Sequence, residues 1–304
     1  MQKDYLRLDN MYRLTLLGGE ARAFLLESTQ MVEQARRIHS LSKTATAALG
    51  RTLSVTSIMG AMLKGEKESV TCRIDGKGPG GLIMTVGKSD ASVKGFVAHP
   101  FEEVPRRGEK LDVGAYVGKE GTLTVIKDLN LREPYVGQTP LVSGEIGEDF
   151  ALYFTSSEQT PSLVSVGVLV ADRVLSAGAL VIQMLPGASS AAISSIENSA
   201  GMFMDISKSM LADGLDGTLE QLLTHLEPEV LDKIPVRYRC DCSRERMEKA
   251  LMLLGDKELT ELLNERHGAE MHCNFCNTKR VFSEDELSRM IDKLKNSADE
   301  QRTS

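Results

Sequence analysis

Two tight cysteine pairs near the C-terminus, Cys240-Asp241-Cys242 and Cys273-Asn274-Phe275-Cys276, limit what this chain can become more than any other feature. They hold four of its five cysteines. Zinc takes soft thiolates in a tetrahedron, and two short-spaced pairs brought together by folding supply that geometry with no open position. The expectation is a closed, four-cysteine site for one zinc ion, with Cys240, Cys242, Cys273 and Cys276 as ligands. The same thiols are also two disulfides ready to form. The Cys-x-Cys arm is one residue tighter than the Cys-x-x-Cys arm of ordinary zinc ribbons.

The chain has 304 residues, enough for a main domain with a substantial core plus smaller modules. Its start, Met1-Gln2-Lys3-Asp4-Tyr5, runs into Arg7 and Asp9 without an apolar export stretch. The most apolar long segment, Thr44 to Leu63, contains Arg51 and several hydroxyl residues, so it reads as a buried core helix and not a membrane span. The expected location is the cytoplasm, whose reducing conditions favour metal ligands or redox sensors over structural disulfides. A formal charge of -7 argues against affinity built on phosphate neutralisation, so no nucleic acid and no membrane are expected as partners. Cys72, alone in the strand-like run Val70 to Ile74, reads as a small core hydrophobe.

The fold class expected is an α/β (α+β) N-terminal domain with a mixed sheet and packed helices, then a helical linker, then a small zinc-binding domain. The corresponding ranges are 1–187, 188–232 and 233–304. In the first, Met11 to Leu17 and Glu20 to Leu26 read as strands around the hairpin signal Gly18-Gly19. A polar helix follows near Thr29 to His39. Ala45, Ala48, Leu49, Thr52, Met59, Met62 and Leu63 then mark a helix, ended by Gly65, whose small side chains let a sheet come close. Ser69 to Ile74, Gly81 to Val86, Val93 to Ala98, Gly121 to Asp128, Leu163 to Ala171 and Val181 to Leu185 read as strands, and Gly147 to Ser157 as a helix.

Strand signals are expected to end at Ser189. The linker is rich in methionine, and Met202, Phe203, Met204, Ile206, Met210 and Leu211 read as core, with adaptive binding as the alternative, because flexible thioethers re-pack against varied apolar partners. Thr218 and Gln221 form a capping-box pattern that predicts a second linker helix starting there. In the last module, Ser243 caps a predicted helix ended by Gly255, Leu259 to Leu263 continue as a shorter one, and Ser283 with Glu286 caps a third. A hairpin near Met271 to Phe282 completes it. So small a module has a thin core and depends on its metal.

The four cysteines read either as a passive staple or as a switch in which oxidation removes ligands and with them folding free energy. Each pair is close enough in sequence to form a local disulfide. His267 and His272 lie near enough for a mixed ligand set to stay open, and Arg237, Arg239, Arg244, Arg246 and Lys249 either lower thiol pKa values or form a solvated face. His39, His99 and His225 have no nucleophile motif beside them. Gly76 to Gly81 lacks the Lys-Ser/Thr ending of a phosphate loop and reads as a turn. No hydrolase or ATPase motif appears, so no enzyme is expected.

The cysteine spacing, together with Ala47 to Arg51, Gly60 to Gly65, Ser156 to Ser162 and Gln183 to Gly187, resembles the bacterial redox-regulated holdase family, heat-shock protein thirty-three. The resemblance runs over nearly the whole chain. It implies an ATP-independent chaperone that is inactive when reduced and zinc-bound. Oxidation would form Cys240 to Cys242 and Cys273 to Cys276 disulfides, release zinc and unfold the linker, exposing surface for unfolding clients under oxidative and heat stress. It further implies a homodimer when oxidised and hand-over of clients to ATP-dependent foldases. A zinc-ribbon nucleic-acid binder and a thiol-disulfide oxidoreductase are the competing readings.

Overall fold

The computed structural model describes residues 9–302, with side chains described to residue 296, so the chain start on which the export reading rests, Met1 to Leu8, lies outside the described residues. The described residues divide between Arg239 and Cys240 into two compact units. The first opens with the antiparallel strands β1 (Asp9–Leu16) and β2 (Ala21–Glu27), joined through Gly18 and Gly19 at φ 64° and 93°. Helices α1 (Thr29–His39) and α2 (Lys43–Ala61) follow, then β3 (Ser69–Asp75), β4 (Ile83–Lys88), β5 (Ser92–Val97), α3 (Val113–Val117), β6 (Thr122–Asp128) and β7 (Tyr135–Pro140). The unit continues through α4 (Gly147–Ser156), β8 (Ser162–Val170), β9 (Val174–Met184), α5 (Ser190–Ser199), α6 (Ile206–Leu223) and β10 (Glu229–Tyr238). The strands make one ten-stranded mixed sheet, in the order β7-β6-β3-β4-β5-β10-β1-β2-β9-β8, antiparallel except where β10 meets β5.

The period of two along a strand sends alternate side chains to opposite faces. On β2, Phe24 and Leu26 join the cluster under α2, while Ala23 and Leu25 join the cluster under the linker. On β9, Val181 goes to the first and Leu180 with Ile182 to the second. Every residue of α2 except Lys43 and Arg51 is buried. Its hydroxyls find partners within the helix or beside it, Thr52 and Ser54 donating to the carbonyls of Ala48 and Gly50 at 2.9 and 2.8 Å and Ser57 to that of Ala91 at 2.8 Å. A methyl on Gly60 would overlap the Lys88 carbonyl, and one on Gly87 the Thr56 carbonyl, so small residues do let helix and sheet close up here. Among the described residues no helix is long and apolar enough to cross a membrane.

Two expectations are corrected, and one further strand is found. Strand structure does not end at Ser189: β10 pairs with β1 from Asp9↔Val236 to Thr15↔Glu229 and with β5 through Arg237 and Tyr238. Its exposed charges and Pro235 hide it from pattern reading, and backbone pairing between two strands overrides that weak propensity. β7 likewise escapes pattern reading, because this edge strand is mostly exposed and carries Gly137 and Pro140. Thr218 starts no helix. It lies inside α6, fully buried, and the break falls earlier, at Gly214 with φ 67° and ψ -168°.

The second unit holds α7 (Arg244–Met252), α8 (Asp256–Arg266), the hairpin β11 (Gly268–His272) and β12 (Lys279–Ser283), and α9 (Glu284–Arg302). Its core is Met247, Leu251, Leu259, Phe282, Leu287, Met290 and Ile291 with Cys273.

Candidate metal centre

Cys240 and Cys242 sit in the extended stretch before α7, whose N-cap Ser243 accepts the Arg246 N–H at 3.2 Å. Cys273 and Cys276 flank the turn between β11 and β12. There the Asn277 and Cys276 N–H groups both donate to the Cys273 carbonyl, at 2.9 and 3.3 Å, and the Cys273 N–H donates to Thr278 at 3.0 Å. Asn277 takes the left-handed conformation, φ 54°, that closes this knuckle. The result brings all four sulfurs within 4.8 Å of one another. Two cross-arm separations are shorter, Cys240 to Cys273 at 3.7 Å and Cys242 to Cys276 at 3.3 Å.

Sulfurs held about 2.3 Å from one zinc ion at tetrahedral angles stand about 3.8 Å apart. The observed cluster fits that size, and its donor set is all thiol, so these four residues could hold a metal ion. Neither histidine belongs to the group. His267 ends α8 and faces Glu284 at 3.0 Å, and His272 closes β11 opposite Lys279.

Electrostatics give the cluster its chemistry. Burial lifts the Cys240 thiol to about 11, and burial together with the neighbouring thiols raises Cys242 as well. Burial works against the Cys276 thiolate too, but hydrogen bonds from the Thr278 side chain and backbone overcome it and bring this thiol down to about 7. Sγ of Cys276 stands 3.2 Å from the Thr278 hydroxyl. Four thiolates this close repel one another, and a dication is the natural compensation.

The basic neighbours divide by partner. Arg237 and Arg239 pair with Asp90 in the first unit, at 3.5 and 3.8 Å. Arg246 pairs with Asp241 at 2.6 Å, and Lys249 is exposed on the last turn of α7. Arg244 does more. It donates to both Glu286 oxygens at 2.7 and 2.8 Å and to the Val281 carbonyl at 2.9 Å, and lies 4.6 Å over the Phe282 ring. Glu286 in turn accepts the Ser283 N–H at 2.9 Å, completing the capping box expected there. This clamp ties the start of α7 to β12 and α9, and no sequence spacing reveals it because its members lie 42 residues apart.

The candidate client-binding residues split. Phe203, Ile206 and Met210 are buried against the sheet, while Met202, Met204 and Leu211 are exposed. Ser165 donates to the Phe203 carbonyl, and His225 bonds Ser199 at 2.6 Å within the linker. Cys72 is buried in β3, its thiol pushed up to about 12 by desolvation. Gly76 to Gly81 does join two strands, β3 and β4.

Comparison with known proteins adds an independent line. A family model described as Hsp33 protein matches residues 9–283. The 33 kDa chaperonin of Alkaliphilus metalliredigens is 44% identical over 287 residues, spanning 93% of this chain and 98% of that protein. That of Clostridioides difficile is 44% identical over 290 residues, spanning 94% and 99%. The crystal structure of the 33 kDa chaperonin (heat shock protein 33 homolog) from Thermotoga maritima superposes with a TM-score of 0.84 at 37% identity, covering 94% of this chain and 98% of that one.

Proposed function

The chain belongs to the Hsp33 family, a family of chaperones and not of enzymes, and on that premise we propose that it is a redox-regulated, ATP-independent holdase. The observation that carries the proposal is the four-thiol cluster in a unit with so small a core. In the reduced state Cys240, Cys242, Cys273 and Cys276 would ligate one zinc ion. When bound, zinc would hold the two arms together and lend the second unit folding free energy it otherwise lacks.

A peroxide attacked by one thiolate gives a sulfenic acid and water, and a second thiol condenses with it to a disulfide, releasing another water. Each disulfide removes two ligands. We propose the local pairs Cys240 to Cys242 and Cys273 to Cys276; the cross-arm separations make Cys240 to Cys273 and Cys242 to Cys276 the competing connectivity, which peptide mapping distinguishes.

The functional division proposed is a core over 1–187, a linker over 188–232 and a switch over 233–304. In this proposal, loss of order in the switch is coupled to release of the linker. Its release would uncover Phe203, Ile206 and Met210 and the sheet face beneath them, next to Met202, Met204 and Leu211, which are exposed already. Binding of unfolded clients there needs no nucleotide. Cytoplasmic location, dimers in the oxidised state and transfer of clients to ATP-dependent foldases complete the proposal.

The test is aggregation of a heat-unfolded client followed by light scattering. Reduced, zinc-loaded protein is expected not to suppress it, and protein treated with peroxide at mild heat is expected to do so as zinc leaves. Equal suppression by both forms would sink the switch.

A further inference from the structure

The linker carries its methionines in two environments. Met202 and Met204 are 50% and 78% exposed, whereas Met210 is 4% exposed. Met210 lies on α6 against Gly178 of β9, where an added Cβ would stand 2.8 Å from its Cγ, so the glycine makes the room that the thioether occupies. Around it the cluster is apolar, with Leu25, Leu180, Ile182, Phe203 and Leu215. Oxidation turns a methionine from a flexible apolar side chain into a polar sulfoxide. Returning that oxygen from water to a site lined mainly by apolar side chains is expected to shift a docking equilibrium by about tenfold or more.

We propose that Met210 is a second oxidation site, reachable only when the linker has left the sheet, and that its sulfoxide keeps the linker from docking again after the cysteines are reduced. The inference rests on the redox-switched reading above. The oxidant is the same peroxide: the thioether sulfur attacks one oxygen, the O–O bond breaks as the S–O bond forms, sulfur loses two electrons, and water leaves. Return takes two electrons from a dithiol, which becomes a disulfide while the oxygen departs as water; this is the chemistry of methionine sulfoxide reductases. Thiol reduction alone then resets the protein only in part. Brief exposure to oxidant is erased quickly, and long exposure is remembered.

The experiment uses the full chain, reduced and zinc-loaded, treated with hydrogen peroxide at mild heat and then with dithiothreitol and zinc. Peptide mass spectrometry follows the sulfoxide at Met204, Met210, Met11 and Met59. Light scattering follows client aggregation for wild type and Met210→Leu, each normalised to its own oxidised level. Met204 is expected to oxidise whether or not the linker is docked, Met210 only in activated samples, and Met11 and Met59, which are 0% and 1% exposed, in neither. After thiol reduction wild type is expected to keep several-fold more residual suppression than the variant, and a methionine sulfoxide reductase is expected to abolish the difference. Leucine nearly conserves the volume of methionine, and limited proteolysis of the reduced variant checks that its linker is docked. Should it not be, wild type before and after reductase treatment carries the test by itself. Met210 unmodified in an active sample, Met210 modified equally fast in the docked state, or a wild type that thiol reduction resets completely would each overturn the inference while leaving the switch intact. Peroxide that never starts suppression would overturn the parent reading and this inference with it.

Discussion

Helices α2 and α6 cover opposite faces of the same sheet, and they do so with very different security. In α2 only Lys43 and Arg51 escape burial, the hydroxyls are bonded to the helix or to its neighbours, and glycines on both sides bring backbones into contact. In α6 only seven of eighteen residues are buried, Gly214 breaks the helix, and the Thr218 Oγ1 is buried with no hydrogen-bond partner among the described residues. Local stability follows buried apolar contact and satisfied polar groups, so the linker belongs to the low-stability end of the first unit. One face is closely packed, and the other is held by fewer buried residues.

The contrast is broken most strongly on the α2 side. Gly87→Val is expected to cost about 3 kcal/mol or more, since the new side chain meets the Thr56 carbonyl, a backbone atom that cannot move aside. Denaturant unfolding of the first unit measures it. Gly167→Ala acts on the linker side, where the added Cβ would stand 2.9 Å from the Ser207 Cβ. It is expected to loosen the linker by about 1–3 kcal/mol and to give the reduced protein partial holdase activity, read by limited proteolysis and light scattering.

Acid sharpens the comparison next. Glu33 on α1 accepts from Arg36, Arg37 and the Val174 N–H at 2.8, 2.6 and 3.0 Å. Burial opposes its charge, but these bonds prevail and hold its carboxyl at about 2. The folded value lies below the unfolded one, so the stabilisation is complete above the ordinary carboxylate range near 4.5 and is lost as pH falls toward 2. Glu33→Gln is therefore expected to lower stability by about 1–2 kcal/mol at neutral pH and to lose that deficit in acid. The smallest effect is expected of Thr218→Val. Removing an unpartnered buried hydroxyl should stabilise the linker by about 0.5–1 kcal/mol and delay activation at a given peroxide dose. Faster activation would count against the unpaired hydroxyl as a source of linker weakness.

Much of this was legible in the sequence. The four-cysteine cluster was readable because cysteine spacing is local and chemically specific, and the capping box at Ser283 and Glu286 because its signal spans four residues. The buried character of α2 followed from its small, apolar composition. What could not be read depends on partners distant in sequence. β10 owes its strand to β1 and β5, the Arg244 clamp joins residues on three elements, and the start of the second linker helix was set by a left-handed Gly214, not by the Thr218 pattern. The division of the candidate client residues into buried and exposed sets was also invisible, since it depends on which turn of the linker meets the sheet.

In the proposed switch, the cysteines govern the order of the linker and of nothing else in the first unit. Amide hydrogen exchange on the reduced, zinc-loaded chain and on the peroxide-treated chain tests it directly. Protection is expected to fall across residues 190–226 on oxidation while the amides of α2 keep theirs. Retained protection in the linker of an actively suppressing sample, or equal loss in α2, would contradict the account.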